Sequence, residues 1–102
     1  MNLDVKSDHL TNILTILKTY LPKEANIYVF GSRAKNCAKP YSDLDLAIEL
    51  NKEKLNFSTL AKLTSAFENT TIPYAIDIID LNSISTSFKK NIKNDLIKLN
   101  IH

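Results

Sequence analysis

The sequence predicts an α/β (α+β) domain, a small mixed β-sheet packed on helices in the order α-β-α-β-α-β-α. Three observations predict it. Residues 27–30, 44–50 and 74–81 are apolar or β-branched runs of strand length. Between and around them, apolar residues recur three or four apart, as one face of a helix requires. The chain's one glycine, Gly31, directly follows the first of those runs.

In the first helix, Leu10, Ile13, Leu14, Leu17 and Leu21 share a face, with Ser7 as a candidate N-cap and Pro22 as the stop. Residues 27–30 carry no polar interruption, which predicts a strand buried on both faces. A short helix is expected over 32–35, and then a loop in which Pro40 acts as a breaker. In the second strand Leu44, Leu46 and Ile48 point to the core, while Asp43, Asp45, Ala47 and Glu49 face the other way. Phe57, Leu60, Leu63, Thr64 and Phe67 predict a helix ending near Asn69. Residues 74–81 form the third strand. Ile84, Phe88, Ile92, Leu96 and Leu99 then predict a final helix, capped by Asn82 or Ser83.

With 102 residues the chain has room for one core, so residues 1–102 read as a single domain. A net charge of +2 gives no reason to expect nucleic-acid binding. No apolar run is long enough to span a bilayer, and the N-terminus lacks a signal-peptide pattern. A single cysteine, Cys37, excludes an intramolecular disulfide and suits a reducing compartment. The expected location is the cytoplasm. The single glycine also excludes a P-loop and a dinucleotide-binding fingerprint, which need several.

The chemistry concentrates in residues 27–50. Asp43 and Asp45 have the same strand parity, and two adjacent carboxylates repel unless a cation lies between them. Oxygen-only ligands suit magnesium. Gly31-Ser32, at a strand end, lets backbone N–H groups approach a phosphate, and the Ser32 hydroxyl can contact it. Arg33 offers a fork of donors to a triphosphate or else faces solvent. Ser42 either orients Asp43 or caps the turn. Asp77 lies between Ile76 and Ile78, where a charge is costly unless it is paired or metal-bound. Asp80 has the opposite parity and reads as a helix-terminal acid. His9 and His102 read as surface residues, Cys37 as an incidental thiol, and Lys89, Lys90, Lys93 and Lys98 as a solvated basic face.

Gly31-Ser32 followed by Ser42-Asp43-Leu44-Asp45, with a later-strand Asp, resembles the signature of polymerase-beta-type nucleotidyltransferases. The wording GSRA…SDLDLAI is most similar to their minimal (MNT) subgroup, and the resemblance covers nearly the whole chain. It implies a nucleotidyltransferase-like fold and AMP transfer from ATP, with two Mg2+ ions roughly 3.5–4 Å apart. Asp43, Asp45 and Asp77 would be catalytic metal ligands, Asp77 helping to deprotonate the attacking hydroxyl. Gly31, Ser32, Arg33 and Ser42 would bind the nucleotide. The implied role is a type VII-like antitoxin whose acceptor is a tyrosine of a HEPN-type toxin. Related sequences carry a glycine soon after GSRA; Asn36-Cys37 stands there here, and Asn tolerates a left-handed backbone. Two other readings remain: a silent antitoxin acting by contact alone, and a small-molecule nucleotidyltransferase, which would usually carry a further helical domain.

Overall fold

The computed structural model describes residues 3–35, 38, 39 and 41–100. Asn36, Cys37, Pro40 and His102 lie outside the described residues, so the expectations placed on them have no structural counterpart. The elements run α1 (Ser7–Tyr20), β1 (Asn26–Phe30), β2 (Leu44–Glu49), α2 (Phe57–Glu68), β3 (Ile76–Asp80), α3 (Thr86–Ile92), a 3₁₀ turn (Lys93–Asp95) and β4 (Ile97–Leu99). Among the described residues no helix is long and apolar enough to cross a membrane.

The strands form one mixed sheet in the order β3-β2-β1-β4. β1 is antiparallel to both β2 and β4, while α2 carries the chain across so that β3 runs parallel to β2. Alternation then sorts the side chains onto two faces. Ile27, Val29, Leu44, Leu46 and Ile48 meet Ile13 and Leu17 of α1 and Leu63 and Phe67 of α2 in the main core. On the opposite face Ala47 joins Leu81 and Ile92, with Tyr28, Phe30, Ile79, Ile84 and Leu96 packed against them. Burial of each Leu or Ile contributes about 1.5–3 kcal/mol, so the inward set of β2 fixes its register against a one-residue slip.

Several local expectations are corrected. Residues 32–35 form a turn rather than a helix: Ala34 and Lys35 N–H groups donate to the Gly31 carbonyl at 3.2 and 3.3 Å, and Lys35 N–H also to the Ser32 carbonyl at 3.2 Å. The last helix stops at Ile92, and residues 97–99 become a strand. Ile92, Leu96 and Leu99 fit a helical period, but Ile97 and Leu99 also alternate. Pairing Leu99 with Ile27 and Ile97 with Val29 satisfies backbone groups that β1 would otherwise leave open. The cap of α3 is Ser85, whose Oγ accepts from Phe88 N–H at 3.1 Å, not Asn82 or Ser83. Ser7 lies inside α1, whose N-cap is Lys6 without a side-chain bond. At α2, Asn56 is the cap, its Oδ1 accepting from Thr59 N–H at 2.8 Å.

Candidate active site

The parallel register pairs Asp45 with Asp77, so the two carboxylates stand side by side on adjacent strands, whose spacing is about 4.8 Å. They share the face opposite α1 and α2. Asp43 lies two residues upstream of Asp45, where the chain enters β2. Burial pushes the Asp45 carboxyl above its ordinary value, and the charges of Asp77 and then Asp43 push it further. Asp77 and Asp43 thus both act electrostatically on Asp45.

Gly31 completes this arrangement. Its φ is +78°, a left-handed conformation that favours glycine. A Cβ added there would overlap Asp45 Oδ2. The strand end thus comes so close to Asp45 that a side chain at this position would displace its carboxylate. Ser32 follows in the same turn, whose backbone is tied by the bonds to the Gly31 carbonyl described above.

Arg33 has a different use from the triphosphate fork the sequence suggests. It is buried, at 5% exposure, and its guanidinium is directed at the protein's own backbone. Nε donates to the Ser42 carbonyl at 3.0 Å, Nη1 to the Asp4 carbonyl at 2.7 Å and Nη2 to the Lys39 carbonyl at 3.4 Å. The guanidinium also stacks on Tyr74, 3.7 Å from the ring centroid. Tyr74 in turn meets His9, its hydroxyl 3.2 Å from Nδ1, so His9 is part of this cluster and not a bare surface residue. Burial raises the Tyr74 hydroxyl against the lowering pull of Arg33. Sequence reasoning did not find Asp4 or Tyr74; Pro73-Tyr74 immediately before the third strand was the available signal.

Ser42 caps the turn that precedes Asp43: its Oγ accepts from Lys39 N–H, and its own N–H donates to the Lys39 carbonyl, both at 3.0 Å. Arg33 and Ser42 together pin the approach to Asp43. Replacing Arg33 with Met leaves three carbonyls short of a donor, and urea denaturation should record a loss of about 1–3 kcal/mol. Asp80 serves the far end of β3, where its carboxylate accepts from Leu55 N–H, Asn82 N–H and Ser83 Oγ at 2.7, 2.9 and 2.8 Å. Lys89 lies 3.9 Å from Glu49, an exposed pair of little energetic weight.

Among the described residues no three His, Cys, Asp or Glu side chains close into a metal cage. The donor set still fits a magnesium ion, which is held through one or two carboxylates with substrate phosphates filling the other positions. Asp43, Asp45 and Asp77 offer the oxygen ligands such an ion prefers, and both Asp77 and Asp43 act on the Asp45 carboxylate.

The polymerase beta nucleotidyltransferase family model matches residues 11–100. The chain is 40% identical over 91 residues to MntA of Haemophilus influenzae, named a probable protein adenylyltransferase, covering 89% of this chain and 78% of that one. Among solved structures, a toxin–antitoxin crystallised with AMP-PNP matches with a TM-score of 0.71 at 24% identity, over 86% of this chain and 69% of that one. The Shewanella oneidensis tri-AMPylated HEPN toxin in complex with MNT antitoxin supplies a second match, at TM-score 0.57 and 25% identity, over 86% of this chain and 66% of that one. The strand pair that carries Asp45 and Asp77, a left-handed glycine packed against Asp45 and a match spanning nearly every element agree: the chain belongs to the polymerase beta nucleotidyltransferase family, in its minimal, MntA-type form.

Proposed function

We propose that this chain transfers AMP from ATP to a hydroxyl of a HEPN-type toxin and so acts as its antitoxin. The observation that carries the reading is the register of Asp45 beside Asp77, with Gly31 shaped around Asp45. Similarity to an adenylyltransferase and to antitoxins bound to HEPN toxins supports the choice of a protein acceptor.

Asp43 and Asp45 would hold Mg2+ together with the triphosphate, and Asp77 with Asp45 would hold a second ion. Bound there, the ions supply charge stabilisation to the phosphates and acidity to the acceptor hydroxyl. The chain's own residues do the rest. The Gly31-Ser32 turn presents its backbone and the Ser32 hydroxyl to the phosphates. Arg33 and Ser42 contribute by holding the segment that leads into Asp43 in place. Asp77 stands on β3 at the edge of the sheet, open to an incoming acceptor, and takes the proton from its hydroxyl.

Incubation with Mg-ATP and the protein encoded beside it, followed by intact mass of that partner, tests the reading. A rise by whole AMP units, absent with Asp43→Asn, is the expected result. A tight complex with unchanged partner mass would replace enzymatic antitoxin with contact inhibitor. Neither complex nor modification would point to a small-molecule acceptor.

A further inference from the structure

The two edges of the sheet are unequal. β4 offers three residues and lies beyond β1 from the acids, whereas β3 offers five and carries Asp77. Among the described residues β3 has a strand neighbour on one side only. The bonds to β2 show which way its backbone points. Leu44 N–H donates to the Ala75 carbonyl and Leu81 N–H to the Ile48 carbonyl, each at 2.9 Å. Ala75 and Leu81 therefore turn their polar groups towards β2, and by alternation so do Asp77 and Ile79. The N–H and C=O groups of Ile76 and Ile78 point out of the sheet. Asp80 points there too, but its carbonyl already accepts from Ser83 N–H at 2.9 Å. The open stretch is thus centred on Asp77, with an outward backbone donor and acceptor on each side of it.

Beside this edge lies a cavity of about 490 Å³ whose lining includes Phe67, Glu68, Ile72, Pro73, Ile76 and Asp77. Phe67, Ile72 and Ile76 give it an apolar floor continuous with the main core. Among the described residues no lysine, arginine or histidine lines it, although the chain as a whole has a net charge of +2.

We propose that the acceptor hydroxyl arrives on an extended segment of the partner protein that pairs with the open edge of β3, a proposal that rests on the AMP-transfer reading above. Side chains of an added strand alternate as those of β3 do, so a residue level with Asp77 lies on the acid face. Its two neighbours face the groove. The groove suits an apolar neighbour against Phe67 and Ile72 and a basic one beside Glu68. Backbone pairing then sets the depth and direction of the acceptor, and the flanking residues set which segment is chosen.

Amide exchange of the isotope-labelled chain, with and without the protein encoded beside it, tests the pairing directly, and transfer kinetics test its use. The Ile76 and Ile78 amides should exchange fast in the free chain and slow by about tenfold or more in the complex. Ile76→Pro deletes an outward N–H without breaking a bond to β2, and should raise KM for the partner about tenfold while KM for Mg-ATP stays unchanged. Ile76→Ala loses packing but keeps that N–H, and should leave both constants near those of the parent. Glu68→Lys should raise KM for the partner about threefold or more at low salt. Transfer by a complex in which these amides are not slowed, equal effects of the proline and alanine variants, or an unchanged KM for Glu68→Lys overturns the edge assignment and leaves the proposed function intact. Slowing of the same amides in the chain alone as its concentration rises gives the edge to a second copy and overturns it too. Absence of transfer by the parent chain overturns the two together.

Discussion

Asp45→Asn should leave the fold standing and reduce AMP transfer by at least about 100-fold, since it removes a ligand shared by both proposed ions. Asparagine is a neutral isostere of the carboxylate, so the packing around the position is kept. Stability should move in the opposite direction from activity. Burial, Asp77 and Asp43 hold the Asp45 carboxyl above its ordinary value in the fold. The folded state therefore binds this proton more tightly than the unfolded chain does. Its contribution to stability is full below the ordinary carboxylate range and is lost as pH rises through the raised value. Asparagine has no such titration, so the variant should equal or exceed the parent in thermal stability at neutral pH and show a flatter pH profile. Magnesium reverses the balance in the parent, because a cation favours the ionised carboxylate. Adding it should raise the parent's Tm at neutral pH and leave that of Asp45→Asn nearly unchanged. A variant that unfolds would show Asp45 to be structural, and one that retains transfer would show that it is not a metal ligand.

Gly31→Ala carries the second large effect, and the two quantities it changes should separate. The left-handed backbone at φ +78° costs an alanine about 1–2 kcal/mol. The overlap with Asp45 Oδ2 is relieved differently, because that atom ends a side chain that can rotate. Rotation spares the sheet but takes the carboxylate away from Asp77. Denaturant titration should thus give a modest loss of stability, while the transfer rate falls about 10–100-fold, beyond what partial unfolding explains. Equal loss in both would mean that the backbone strain alone matters. Combining Gly31→Ala with Asp45→Asn offers a check: once the ligand is gone, the glycine substitution should have almost no further effect on rate.

Parity explains why so much of the site was legible. The alternation in residues 44–50 separates Leu44, Leu46 and Ile48 from Asp43 and Asp45 by spacing alone, and the same argument favours Asp77 over Asp80. The leucines and isoleucine enter the main core as expected, but Asp77 is exposed on the edge strand and not buried between Ile76 and Ile78, and Asp80 binds loop amides at the far end of its strand instead of standing at a helix terminus. Arg33 shows where such reasoning stops. One sequence cannot say whether a long cation after Gly31-Ser32 reaches a triphosphate or folds back. Its acceptors, the carbonyls of Asp4, Lys39 and Ser42, become neighbours only when the N-terminal segment and the site loop meet.

What the sequence determined by itself is therefore local and periodic. It comprises three of the strands and two of the helices, the facing of the acids, and the need for a glycine where the first strand ends. The tertiary structure decided the long-range matters. It set the parallel register that puts Asp77 beside Asp45, made residues 97–99 an edge partner of β1 instead of helix, and directed Arg33 inward. The physical reason is the same in each case. A side chain's face follows from backbone geometry over a few residues, whereas a strand's neighbour and a buried cation's partners depend on groups far apart in the chain that only packing brings together.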